Sequence, residues 1–229
     1  MGAETRNGTV TVVGLGGSLA HSSTSIAALR VAMEAAASRG ADTQTFDIKE
    51  LDLPLYKRGI PVPDAAENLL NAVVDADAML WSSPVYHGSI SGAFKNAVDW
   101  FDLLGERQPP YLAGRVVGLI SAAGGVQGLQ AINAMEFIVR ALRGWVAPLV
   151  VPISRASSIF DADGRTDNTA VLQQLRILGE EVVRVAELFR SPASTSEATH
   201  SLGPGTRICG LTTHGADTNP RRGAGWGSV

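Results

Sequence analysis

Thr9-Val10-Thr11-Val12-Val13-Gly14-Leu15-Gly16-Gly17-Ser18-Leu19-Ala20-His21-Ser22-Ser23-Thr24-Ser25 is the stretch that decides how this chain is read. A run of β-branched and apolar residues breaks at paired glycines, and a hydroxyl-rich segment then leads into a helical pattern. Gly16 and Gly17 let the backbone turn sharply, because no Cβ obstructs them. Ser22, Ser23, Thr24 and Ser25 place hydroxyls where a helix begins. A helix start presents unpaired backbone N–H groups and the positive end of the macrodipole. Those properties together favour a phosphate.

The loop has the opening Gly-x-Gly of a dinucleotide fingerprint, but Leu19 stands where the last glycine belongs, and no lysine follows to make a P-loop. A lysine-free, hydroxyl-rich turn suits a terminal monophosphate held by neutral donors. The plainer account is a strand–helix turn with a serine cap.

Outward from this loop, apolar runs alternate with helical patterns. Val10 to Gly14, Thr43 to Ile48, Ala78 to Ser83, Arg115 to Ser121 and Trp145 to Pro152 read as strands. Helices are expected at Ile26 to Ala37, from Asp64 to about Asp75, and at Ser91 to Leu103, Val126 to Leu142 and Asn168 to Phe189. Asp64 with Glu67 three residues on reads as a capping-box start. Leu51 to Pro63, with Pro54, Pro61 and Pro63, reads as a loop. Strands alternating with helices predict an α/β fold: a doubly wound, five-stranded parallel sheet with helices on both faces and right-handed crossovers. Residues 1–190 form that domain in this reading. Residues 191–229 are rich in Ser, Thr, Gly and Pro and read as a tail.

The 229 residues suffice for one domain with a full core. A net charge of -3 and the absence of a basic stripe argue against nucleic acid or an anionic membrane as partner. One cysteine, Cys209, excludes an internal disulfide and a CxxC zinc site. With no signal-peptide pattern and no apolar run of membrane-spanning length, a cytoplasmic protein is expected. No metal site is expected.

In an open parallel sheet, ligands bind beyond the carboxyl ends of the strands, at the point where strand order reverses. In the order 2-1-3-4-5, the first, third and fourth strands are neighbours. Their exits are the loop above, Ser83-Pro84-Val85-Tyr86-His87-Gly88-Ser89, and Ser121-Ala122-Ala123-Gly124-Gly125. The three converge on one crevice. Tyr86 can stack on a flat ring, and the paired glycines let backbone approach it. Taken singly, each has a bland account: Tyr86 packing on the next helix, His87 solvated, Gly124-Gly125 an ordinary turn. Lys95 and Asp99, four apart, read as a surface ion pair.

Three motifs together resemble a known family: Gly17-Ser18-Leu19-x-x-x-Ser23-x-Ser25, Pro84-Val85-Tyr86-His87-Gly88-Ser89-x-Ser91-Gly92-Ala93-x-Lys95-Asn96-Ala97-x-Asp99, and Ser121-x-x-Gly124-Gly125. Across Thr9 to Phe189 the chain is similar to the NAD(P)H-dependent FMN reductases of the flavodoxin-like superfamily. The resemblance implies that Ser18, Ser23, Thr24 and Ser25 hold the FMN phosphate. It places Pro84, Val85, Tyr86 and His87 along the isoalloxazine, with Ser121, Gly124 and Gly125 closing its other edge. Ala20 stands where many relatives carry Arg, which removes a cation near the phosphates and leaves the choice of NADPH or NADH open.

The implied activity is hydride transfer from NADPH or NADH to FMN with ping-pong kinetics. No side chain acts as acid or base in it, so no catalytic residue is assigned. The implied partners are a small-molecule electron acceptor, a second subunit (homodimer or homotetramer), and a flavin-dependent monooxygenase receiving reduced flavin. Two alternatives stay open: reduction of a quinone, azo or nitro acceptor, and a flavodoxin-like electron carrier. The mild net charge weighs against a carrier, since carriers are usually far more acidic.

Overall fold

β1 (Thr11–Gly16) sits inside the sheet, paired in parallel with β2 (Asp42–Asp47) on one side and β3 (Ala78–Tyr86) on the other. β3 pairs in parallel with β5 (Val116–Ala122), and β5 with β6 (Trp145–Ile153). The order β2-β1-β3-β5-β6 is the expected 2-1-3-4-5 arrangement, with one short antiparallel strand, β4 (Ser89–Ile90), attached to β3. The computed structural model describes residues 8–190; the expected tail and Cys209 lie outside the described residues.

Alternate residues of the central strands face opposite sides, and both sides are buried. Val12 and Leu80 face α1 (Thr24–Ser38) and α7 (Thr169–Arg190). Val13, Leu15, Met79 and Trp81 face α3 (Asp64–Asp75), α4 (Gly92–Asp99) and α5 (Gly128–Ala141). The α1/α7 layer is built from Ala27, Ala28, Ala32 and Ala36, and from Gly179, where an added Cβ would collide with the Ala32 carbonyl oxygen. The opposite layer holds rings. Trp81 meets Phe94 edge-on at 5.7 Å, and Phe101 meets Tyr111 at 6.1 Å.

Three expectations shift in the structure. The third strand does not end at Ser83. It continues through Pro84, Val85 and Tyr86 and folds back at His87-Gly88 into β4. His87 and Gly88 have φ of 49° and 78°, left-handed at both positions, as a two-residue hairpin turn requires. The expected helix from Ser91 divides into α4 and a 3₁₀ turn, Trp100–Leu104. Asp64 is a first-turn residue rather than the cap. Pro63 occupies the cap position without a side-chain bond, and its carbonyl accepts from the Glu67 N–H.

The proline-rich loop after β2 is strapped down. The Asn96 side chain accepts from the Tyr56 N–H (2.8 Å) and donates to the Leu53 and Pro54 carbonyls. Trp100 Nε1 also donates to the Pro54 carbonyl. Tyr56 and Arg58 both donate to the Asp102 carboxylate, which holds that carboxyl below its usual range. Lys95 and Asp99 pair on the surface of α4, as expected.

Candidate functional site

β1, β3 and β5 are adjacent, so their carboxyl ends deliver three connections to one rim. Gly16 pairs with Ser82, and Ser83 with Ser121, at the last rungs of the ladder. The Gly17 N–H donates to the Ser82 carbonyl at 3.3 Å, so the first connection is anchored to β3 as it leaves β1.

Ser23 caps α1. Its backbone is extended (φ -109°), and its Oγ accepts from the Ile26 N–H at 3.4 Å. Ser18 Oγ donates to Ser23 Oγ (3.1 Å), and Ser23 and Ser25 hydroxyls lie 3.0 Å apart. Ser18 and Ser25 are buried, while Thr24 is half-buried. Three of the four expected phosphate residues, Ser18, Ser23 and Ser25, thus form one connected hydroxyl cluster at the start of a fifteen-residue helix with no acidic residue in its first turn. Beside them lies a cavity of about 400 Å³, lined by Ser18, Ser23, Arg30, Asp47, Lys49 and Asp163 among others.

On the second connection, Pro84 is buried, Val85 half-buried, and Tyr86 and His87 exposed at the hairpin tip. Ser83 Oγ accepts from the Ser91 N–H (3.0 Å), tying the hairpin base to the start of α4. On the third, Gly124 and Gly125 are exposed, and a Cβ added at either meets no heavy atom within 4 Å. The space over this pair is open. Ser121 is buried, and its Oγ donates inward to the Gly128 carbonyl at 2.8 Å.

A neutral hydroxyl cluster on a helix start fits a phosphate monoester. An exposed tyrosine and an open glycine shelf at the exits of adjacent strands are the groups a flat ring needs. Among the described residues, no group of three His, Cys, Asp or Glu side chains could hold a metal ion, and no helix is long and apolar enough to cross a membrane.

One segment escaped sequence reading: residues 154–168, between β6 and α7. Its Ala162 carbonyl accepts from Ser22 Oγ (3.2 Å), so it borders the hydroxyl cluster. Its Arg155 and Ala156 N–H groups donate to the Gly125 and Ala123 carbonyls (3.0 and 2.9 Å), so it also buttresses the glycine shelf. Asp161 shapes it by accepting from the Asp163 and Arg165 N–H groups. The Asp161-Ala162-Asp163-Gly164 run is a turn signal that could have marked it.

The arrangement has known counterparts. The NADPH-dependent FMN reductase ArsH of Rhizobium meliloti is 28% identical over 159 residues, 66% of this chain and 61% of that protein. The chain thus spans about three fifths of the length of this relative. The NAD(P)H-dependent FMN reductase PA1204 of Pseudomonas aeruginosa is 33% identical over 180 residues, 74% of this chain and 93% of that protein. Among solved structures, the flavoenzyme NAD(P)H:(acceptor) oxidoreductase FerB of Paracoccus denitrificans superposes with a TM-score of 0.65 over 79% of this chain and 99% of that one. At 22% identity it shares the fold. The sequence model of one family, described as NADPH-dependent FMN reductase, matches residues 10–158, and the chain belongs to that family.

Proposed function

We propose that this chain binds FMN across the exits of β1, β3 and β5 and acts as an NAD(P)H-dependent FMN reductase. The observation that carries the reading is the pairing of a buried hydroxyl cluster at the start of α1 with an open glycine shelf on the same sheet edge. Bound there, FMN would supply two-electron redox chemistry between NADPH or NADH and an acceptor.

The protein's own work is positional and electrostatic. Ser18, Ser23 and Ser25, with the N–H groups of the first turn, hold the phosphate without a lysine. Tyr86 and His87 at the hairpin tip border the ring, and Val85 and Pro84 support it from the strand. Backbone at Gly124 and Gly125 approaches the opposite edge, and buried Ser121 fixes where that backbone starts through its bond to Gly128. No side chain moves a proton in this scheme. Because both substrates use one place in turn, the kinetics are ping-pong.

The test begins with reconstitution. Purified protein binds FMN and its flavin absorbance bleaches on anaerobic mixing with NADPH or NADH; an electron carrier binds FMN without rapid bleaching. Ser23→Asp expels FMN by setting a carboxylate against its phosphate, and unchanged affinity removes the phosphate site. kcat/KM is then compared for free FMN, menadione and an azo dye. If free FMN is the poorest acceptor by a wide margin, the quinone, azo or nitro reductase reading replaces the flavin reductase one. Parallel double-reciprocal plots check the ping-pong order, and sedimentation checks for a homodimer or homotetramer. Supply of reduced flavin to a monooxygenase follows only if free FMN proves a good acceptor.

A further inference from the structure

The cavity beside the hydroxyl cluster is larger than a phosphate seat requires. Its volume is about 400 Å³, within the range of clefts that enclose a whole small ligand, roughly 300–1,000 Å³. Ser18 and Ser23 line it, so it is continuous with the proposed phosphate site.

Three elements wall it. On α1, Ser23, Ile26, Ala27 and Arg30 line the cavity at spacings that put them on one helix face. Ser23 and Arg30 are two turns apart, about 10 Å along the axis. Helical side chains lean toward the N-terminus, so Arg30 covers the turn nearer Ser23. The turn at 162–164 is the second wall, and it is held in place. Its Ala162 carbonyl accepts from Ser22 Oγ, and Gly164 sits so close to α1 that an added Cβ would lie 3.0 Å from the Ala27 Cβ. The start of α2 (Ile48–Leu51) is the third, capped by Asp47 Oδ1 accepting from the Lys49 N–H at 3.0 Å.

The lining carries both signs. Arg30 and Lys49 are exposed, and neither forms an ion pair among the described residues. Asp47 and Glu50 line the same cavity and are likewise outside any ion pair there. A seat for a phosphate alone has no use for carboxylates, because like charges repel at close range. A ligand that brings a second phosphate and a sugar uses both signs. Cations grip phosphate oxygens, and carboxylates accept from ribose hydroxyls.

We propose that this cavity holds the adenylate half of FAD, so that the chain binds FAD as well as FMN. The hydroxyl cluster seats the phosphate common to both flavins. Arg30 and Lys49 hold the second phosphate, and Asp47 and Glu50 accept from the ribose. The inference rests on the proposed flavin site and extends its ligand from a monophosphate to a dinucleotide.

Calorimetric titration of the flavin-free full chain with FMN and with FAD tests it. Wild type binds FAD at least as tightly as FMN. Losing a charge-assisted hydrogen bond predicts that Arg30→Ala and Lys49→Ala each weaken FAD by about ten- to hundredfold, with FMN changed by less than about twofold. Arg30→Lys recovers part of the loss. FAD bound to wild type also resists cleavage to FMN and AMP by a phosphodiesterase, and Arg30→Ala restores cleavage. If FMN binds and FAD binds at least about a hundredfold more weakly, the adenylate seat is overturned and the FMN site stands. Equal FAD affinity in wild type and both variants overturns the seat as well, because the adenylate then lies in solvent. So do equal losses of FMN and FAD, because the cations then serve the shared phosphate. If wild type binds neither flavin, the flavin site itself has failed, and its extension with it.

Discussion

The two faces of the sheet are packed on opposite principles. The α1/α7 face uses small residues to bring helix and strand backbones close. Gly14, Gly16 and Gly118 on the strands receive Met33, Leu29 and Leu178 from the helices, and Gly179 lies against the Ala32 backbone. The other face is filled by Trp81, Phe94, Phe101 and Tyr111 around the ends of α3, α4 and α5. Close approach on the first face sets α1 hard against the sheet, and the first turn of α1 carries Ser23 and Ser25. Rings on the second face support α4, the 3₁₀ turn and, through Trp100 and Asn96, the strapped loop at Tyr56. One face therefore positions the hydroxyl cluster of the candidate site, and the other supports α4 and the strapped loop.

The contrast can be broken by removing bulk from one face and adding it to the other. Phe101→Ala, at a fully buried ring, should cost about 3–5 kcal/mol in urea unfolding, because the lost transfer energy adds to a cavity. FMN affinity of the folded fraction should change little, since α1 is untouched. Gly179→Ala should cost about 1–3 kcal/mol, because its Cβ meets backbone that cannot yield as a side chain would. It should also weaken FMN binding, measured by fluorescence titration, as α7 forces α1 away. Equal effects of the two variants on FMN affinity would remove the division of labour between the faces.

The smallest expected effect sharpens the aromatic side. Burial, with the Asp102 charge adding to it, pushes the Tyr111 phenol up to about 12. The unfolded phenol titrates near about 10. Between those values the folded state keeps a proton that the unfolded chain has released, so this contribution is complete below about pH 10 and is lost as pH rises toward about 12. Ultraviolet titration of the native protein should show a late phenol that Tyr111→Phe abolishes.

Much of this fold was legible in residue order. Buried strands such as Val10 to Gly14 read as short apolar runs, and α1 and α7 read from their helical spacing. The rim of the candidate site followed from strand order alone. The hairpin at His87-Gly88 was missed because Pro84 reads as the end of a strand, whereas at the last rungs of β3 its missing N–H does not stop pairing with Ala122. The side-chain direction of Ser121 was equally hidden: nothing local says that a serine at a strand end bonds inward to Gly128 rather than outward to a ligand.

By itself, then, the chain determined its alternating elements, their parallel order and the identity of the three glycine- and serine-bearing exits, because periodicity and turn chemistry are local properties. Tertiary structure alone decided that a fourth connection, 154–168, joins the hydroxyl cluster to the glycine shelf. It also decided that Arg155 is held beside that shelf by the bond of its N–H to the Gly125 carbonyl. These depend on contacts such as Ser22 with Ala162, 140 residues apart, which no local pattern records.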